Sequence, residues 1–160
     1  MNDRENLLKV LNYAYFYLKF RPRSKKEMVD YLAKKAKRYH LREELVKGAL
    51  EELVELGLID DVKFIEWFVE QRSFLKPKAV FLMKSRLSQY GVPKEIVDEY
   101  FTANEFDEVA LAKQAVLYRW KQWMGLEKRE RFLKVAAFLS RRGFRYDTIK
   151  NAIAKLEEKE

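Results

Sequence analysis

Cysteine is absent from this chain of 160 residues, and with it every disulfide framework, thiolate nucleophile and Cys-ligated zinc or iron–sulfur site. A reducing cytoplasm is the compartment that fits. The single histidine, His40, cannot make a multi-histidine metal site, and beside Tyr39 it reads as an exposed or locally hydrogen-bonded loop residue. Gly48 and Gly57 lie in or after a helix and lack the Lys-Ser or Lys-Thr of a phosphate loop, and no Ser stands in a nucleophile-elbow context. Asp60-Asp61 reads as a capping pair at a helix start, not as a general base or metal site. No catalytic residue, cofactor or metal is expected. Lys or Arg interrupts every apolar run before it reaches membrane-spanning length. The opening MNDRENLLKVLNYAYFYLKF carries acidic residues where a signal peptide needs positive charge, so the expectation is a soluble protein with no membrane partner.

Glycine (5) and proline (3) are also scarce, while apolar residues make up 48% and aromatics 14%. That composition buries a core and suits long helices. Charged residues reach 36%, with 33 Lys plus Arg against 25 Asp plus Glu, giving a net charge of +8 and a pI near 9.5. The excess favours anionic partners, nucleic acid first.

Apolar positions recur at helical spacing nearly throughout, and no stretch alternates as a half-buried strand would. Nine helices are predicted. The first runs from about Glu5 to Phe20, with Leu7, Leu8, Leu11, Tyr15 and Leu18 on one face, and stops before Arg21-Pro22. Ser24-Lys25-Lys26-Glu27 opens the second in the Ser-x-x-Glu capping pattern, carrying Met28, Leu32 and Ala36 inward. The third, about Leu41 to Leu56, buries Leu45, Ala49, Leu53 and Leu56 and ends at Gly57, which suits a left-handed cap. Phe64, Ile65, Phe68 and Val69 face a core in the fourth, which Lys76-Pro77 closes. The fifth runs from about Lys78 to Tyr90 and stops at Gly91, and Pro93 sits near the first turn of a sixth reaching Phe101. Val109, Ala112, Val116 and Trp120 line the seventh, and Phe132, Val135, Ala136 and Leu139 the eighth. Gly143 separates the eighth from a ninth ending near Leu156.

Leu87, Gly91, Val92, Val97 and Phe101 recur as Leu139, Gly143, Phe144, Ile149 and Ile153, at a constant offset of 52. A weaker copy places Leu32 against Leu87, with about four extra residues around Lys37 to His40. The chain then divides into three helix triplets, 1 to 58, 59 to 103 and 104 to 160, each too small to bury its faces alone. An elongated all-α stack follows. Residues 1 to 59 carry 13 basic and 9 acidic groups, residues 60 to 104 carry 7 and 7, and residues 105 to 160 carry 13 and 9. Both ends are basic.

Three clusters make up that excess. Arg21, Arg23, Lys25 and Lys26 crowd a helix-opening turn and are either a solvated turn or a phosphate contact. Lys34, Lys35, Lys37 and Arg38 have no intervening acid, which favours binding. Lys128, Arg129, Arg131 and Lys134 are partly matched by Glu127 and Glu130 at helical spacing, leaving Arg141, Arg142 and Arg145 unpaired. Trp67 and Trp120 read as packing residues. Trp123 is open between core and a stacking platform.

Arg21-Pro22-Arg23-Ser24-Lys25-Lys26-Glu27-Met28, then Leu56-Gly57-Leu58-Ile59-Asp60-Asp61-Val62-Lys63-Phe64, then Arg141-Arg142-Gly143-Phe144-Arg145-Tyr146-Asp147-Thr148-Ile149, resemble the signature stretches of the RecX regulatory proteins, in the same order. The resemblance implies three tandem three-helix repeats, and a protein without catalysis that binds the RecA recombinase filament on single-stranded DNA and restrains its ATP hydrolysis, strand exchange and coprotease activity. Two positions depart from the pattern: Ala79-Val80 and Arg86 replace the usual Gly-Pro pair and Glu, and Arg145 stands where a small capping residue is common. The expected contacts with DNA or recombinase are Arg21, Arg23, Lys35, Arg38, Arg141, Arg142 and Arg145, in a monomer that binds single-stranded and also double-stranded DNA. An independent nucleic-acid-binding module, needing no recombinase, is the alternative, and a purely structural scaffold a third.

Overall fold

A computed structural model of the chain describes residues 2–75 and 77–158, without the side chains of 72–75. Lys76, expected to help close the fourth helix, lies outside the described residues. Among the described residues there are nine α-helices and no strand: α1 (Asp3–Leu18), α2 (Lys25–Tyr39), α3 (Glu43–Glu55), α4 (Asp61–Leu75), α5 (Val80–Gln89), α6 (Lys94–Ala103), α7 (Glu108–Trp123), α8 (Lys128–Arg141) and α9 (Tyr146–Glu158).

The local signals account for most boundaries. Ser24 and Glu27 form the reciprocal capping box of α2. Asp60 accepts from the amides of Val62 and Lys63 at the start of α4, while its neighbour Asp61 reaches away to accept from the Lys25 amide of α2 at 2.9 Å. The acidic pair thus caps two helices. Pro93 precedes α6 as its cap, its carbonyl accepting from Ile96 and Val97.

Four helices end in one recurring turn. The amide five residues on donates back to Leu53, Leu87 or Leu139 while Gly57, Gly91 or Gly143 takes a positive φ of 71°, 82° or 87°. At the end of α2 the same bond joins Leu41 to Ala36, and His40 holds the left-handed position at φ 54°. The four residues by which the first copy is longer are one further turn of α2.

The chain falls into two compact units, Met1–Trp67 with Leu87–Val97, and Phe68–Arg86 with Asp98–Glu160. In the first, α1, α2 and α3 pack on one another around Leu11, Ala14, Met28, Leu32 and Leu53. Ser24, fully buried, donates to the Tyr90 carbonyl at 2.6 Å, and Gly91 lies against the Lys26 side chain at the start of α2. In the second, α7, α8 and α9 pack on one another around Ala112, Val116, Val135, Leu139 and Ile153. There Gly143 lies against Phe81 and Leu82 at the start of α5, and the Ala79 amide donates to the Arg142 carbonyl at 3.1 Å.

Leu8, Tyr15 and Leu56, expected in the core, are 53%, 42% and 58% exposed. The buried stripe of α1 instead runs through Val10, Leu11 and Ala14, flanked by Leu7 and Leu18, because the seam with α2 and α3 lies on that side. Leu56 falls beyond the last residue of α3 and turns out with the cap.

Candidate nucleic-acid interface

Each cation of the first unit is set by what its helix places opposite it. Arg21, in the turn before α2, donates through both terminal nitrogens to Glu27, at 3.2 and 2.5 Å, and its guanidinium lies 5.8 Å from the Trp67 ring centre and 5.3 Å from that of Tyr90. Burial works against its charge, but Glu27 outweighs burial and holds its pKa above the ordinary value. Arg23 stacks 3.8 Å from the Tyr17 ring centre, donates to the Tyr17 carbonyl and lies 3.8 Å from the same Glu27 carboxylate. Glu27 therefore neutralises much of this turn. Lys26 pairs with Asp30 at 2.9 Å, and Lys25 is exposed.

Lys35 and Arg38 are held differently. Tyr13 and Tyr17, one turn apart on α1, stack on Tyr39 and Tyr31 of α2 with ring centres 5.5 and 4.0 Å apart and planes nearly parallel. The Lys35 ammonium lies 5.0 Å from the Tyr13 ring and 5.5 Å from Tyr31, and Arg38 lies 5.5 Å from Tyr39. Burial first, then neighbouring Tyr17, raises the pKa of the Tyr31 phenol. A ring face positions a cation without cancelling its charge. No carboxylate pairs with Lys35 or Arg38 among the described residues, and residues 31–42 contain no acid.

In the second unit Lys128 and Arg131 both reach Glu157 of α9, at 4.0 and 3.1 Å, a partner that helical spacing does not reveal. Arg131 is buried beside Trp120, which is itself core. Trp123 packs edge-on against Phe138, 5.7 Å between ring centres. Arg141 and Arg145 are exposed at the turn from α8 to α9. Arg142 is half-buried with its guanidinium 4.5 Å from the Phe138 ring centre, where burial lowers its pKa. Arg119 of α7 comes within 5.2 Å of the same ring. Sequence reasoning missed Arg119, although residues 109–126 and 131–146 contain no acid, which was the available signal.

The structure thus holds Lys35, Arg38 and Arg142 against rings with no carboxylate partner among the described residues, exposes Arg141 and Arg145, and ties Arg21 and Arg23, which also lie against rings, to Glu27. Among the described residues no three His, Asp or Glu converge as a metal site, and no helix is long and apolar enough to cross a membrane. An open cleft of about 640 Å³ between α2 and α3 is lined by Val29, Ala36, Val46 and Leu50 together with Lys37, Glu43 and Lys47.

Residues 107–153 match the family description "RecX, third three-helix domain". The Regulatory protein RecX of Prosthecochloris aestuarii is 32% identical over 148 residues, 92% of this chain and 93% of that protein. The chain belongs to the RecX family. The Chlorobium limicola RecX is 35% identical over 90% of this chain and 87% of its own length, whereas the chain spans about half of the Streptococcus uberis RecX, at 29% identity. Two solved RecX structures share the fold: that from Lactobacillus salivarius has a TM-score of 0.76 over 96% of this chain and 98% of its own at 22% identity. The second has a TM-score of 0.66 over 90% of this chain and 71% of its own at 24% identity. RecX proteins are regulatory proteins by name.

Proposed function

We propose that this RecX-family chain binds the RecA recombinase filament on single-stranded DNA and restrains its ATP hydrolysis, strand exchange and coprotease activity, acting as a cytoplasmic monomer through binding alone. The observation that carries this reading is the pair of acid-free basic surfaces, Lys35 and Arg38 on the tyrosine ladder and Arg141, Arg142 and Arg145 at the end of α8. Unneutralised cations held in place are what a polyanionic filament recognises. Arg21 and Arg23 contribute by shaping the turn that precedes α2, with their charge shared by Glu27. Three helix triplets, 1–58, 59–103 and 104–160, are the units that this binding uses.

Co-sedimentation of the protein with preassembled recombinase filaments, beside naked single-stranded DNA and recombinase alone, tests the proposal. The expected result is retention on filaments beyond that on either component. Equal retention on naked DNA would support an independent nucleic-acid-binding module instead.

A further inference from the structure

Arg119 and Arg142 approach one ring from two helices, their guanidinium carbons 5.2 and 4.5 Å from the centre of Phe138. Two like charges on one buried ring repel, and Arg119 adds to the burial that lowers the Arg142 pKa. No carboxylate answers them. Neither arginine has an ion pair among the described residues, and the stretches 109–126 and 131–146 that carry them hold no acidic residue. Their hydrogen-bond donors are also largely unspent. Arg119 gives Nε to the Tyr118 hydroxyl at 3.0 Å, and Arg142 gives Nη1 to the Pro77 carbonyl at 3.4 Å. A guanidinium has five N–H donors in a fork suited to two oxygens of one oxyanion.

We propose that Arg119 and Arg142 form a clamp for a phosphodiester of single-stranded nucleic acid, with the exposed Tyr118 ring as the platform on which the adjoining base stacks. The inference rests on the proposed function in taking DNA as the polyanion. A chain of phosphates fits better than one protein carboxylate because exposed Arg141 and Arg145, flanking Arg142 in sequence, also lack acidic partners among the described residues. A single carboxylate would leave that charge unmet. Tyr118 is 65% exposed, and a ring beside a phosphate site gives the stacking that single-strand binders use.

The test is fluorescence anisotropy of the full chain with a labelled oligothymidylate across a salt series. Arg119 is exposed, so Arg119→Gln leaves the fold intact, and matched melting curves establish this. The clamp predicts binding about tenfold weaker at low salt. The slope of log affinity against log salt should become shallower by about 0.7, the value for one lost phosphate contact on a single strand. Tyr118→Leu should weaken binding about tenfold with the slope unchanged, since stacking releases no counterion. Lys155→Gln, removing an exposed charge of α9, should leave both unchanged. Wild-type affinity and slope in Arg119→Gln would overturn the clamp, and if that variant also lost recombinase binding without DNA, an acidic protein surface would replace it as the ligand. Recombinase ATPase measured in parallel separates the two readings: regulation by the wild-type chain together with unchanged oligonucleotide binding by Arg119→Gln rejects the clamp alone. No effect of the wild-type chain on ATPase rejects the regulatory reading.

Discussion

His40 and Gly143 occupy the same left-handed corner of the same turn, yet their surroundings differ. Gly143 has φ +87°, and a Cβ there would meet Leu82 and Phe81 at 2.7–2.8 Å. Gly143→Ala therefore combines backbone strain of about 1–2 kcal/mol with a clash against the half-buried Leu82 and the exposed Phe81, and urea unfolding should show a loss of about 2 kcal/mol. His40 is exposed, so a side chain is tolerated there at the cost of its strained φ. His40→Gly should stabilise the protein by about 0.5–1 kcal/mol in the same assay, since glycine takes this corner without penalty. Ser24 is the third sensitive residue. Its buried hydroxyl accepts from the Glu27 amide and donates to the Tyr90 carbonyl, so Ser24→Ala should cost about 2 kcal/mol in unfolding free energy.

Between elements, one contact is repeated. The Gly91 turn lies against Lys26 at the start of α2, and the Gly143 turn against Phe81 at the start of α5. Lys26 and Phe81 are 55 residues apart, the same spacing that relates Leu32 to Leu87. The offset of 52 between the two glycines was legible because both hold a left-handed turn pressed against side chains at a helix start, where a Cβ would clash. In the copy of that turn after α2 His40 takes the left-handed corner in place of glycine, and the sequence match is weakest there. The Ser24 box, the caps at Asp60 and the inward faces of α2 and α4 were equally legible, since each depends on residues within a turn or two. Leu8 and Tyr15 were not, because a helical period fixes a stripe's width without fixing which neighbour it meets. Nor were the long-range pairings. Glu157 matches Lys128 and Arg131 from another helix, and Glu27 gathers Arg21 as well as Arg23. At this scale Glu27→Ala should cost about 2 kcal/mol in unfolding free energy, through loss of the capping box and the two arginine contacts.

For the molecule as a whole, the net charge of +8 is divided by its partners into neutralised and available parts. The Arg21–Arg23 turn is largely answered by Glu27, while Lys35 and Arg38 rest on tyrosine rings and Arg119 and Arg142 on Phe138. Composition showed the excess; only tertiary packing shows which cations remain free to meet phosphate. RecX membership rests on similarity along nearly the whole chain, and the acid-free surfaces are where we propose that it holds a filament. The most direct measurement is the ATPase rate of the recombinase on single-stranded DNA, titrated with this protein. A dose-dependent fall at substoichiometric ratios, weakened when Lys35 and Arg38 are both changed to Gln, is the predicted result. An unchanged rate, with the protein in excess and the filament intact, would contradict the account.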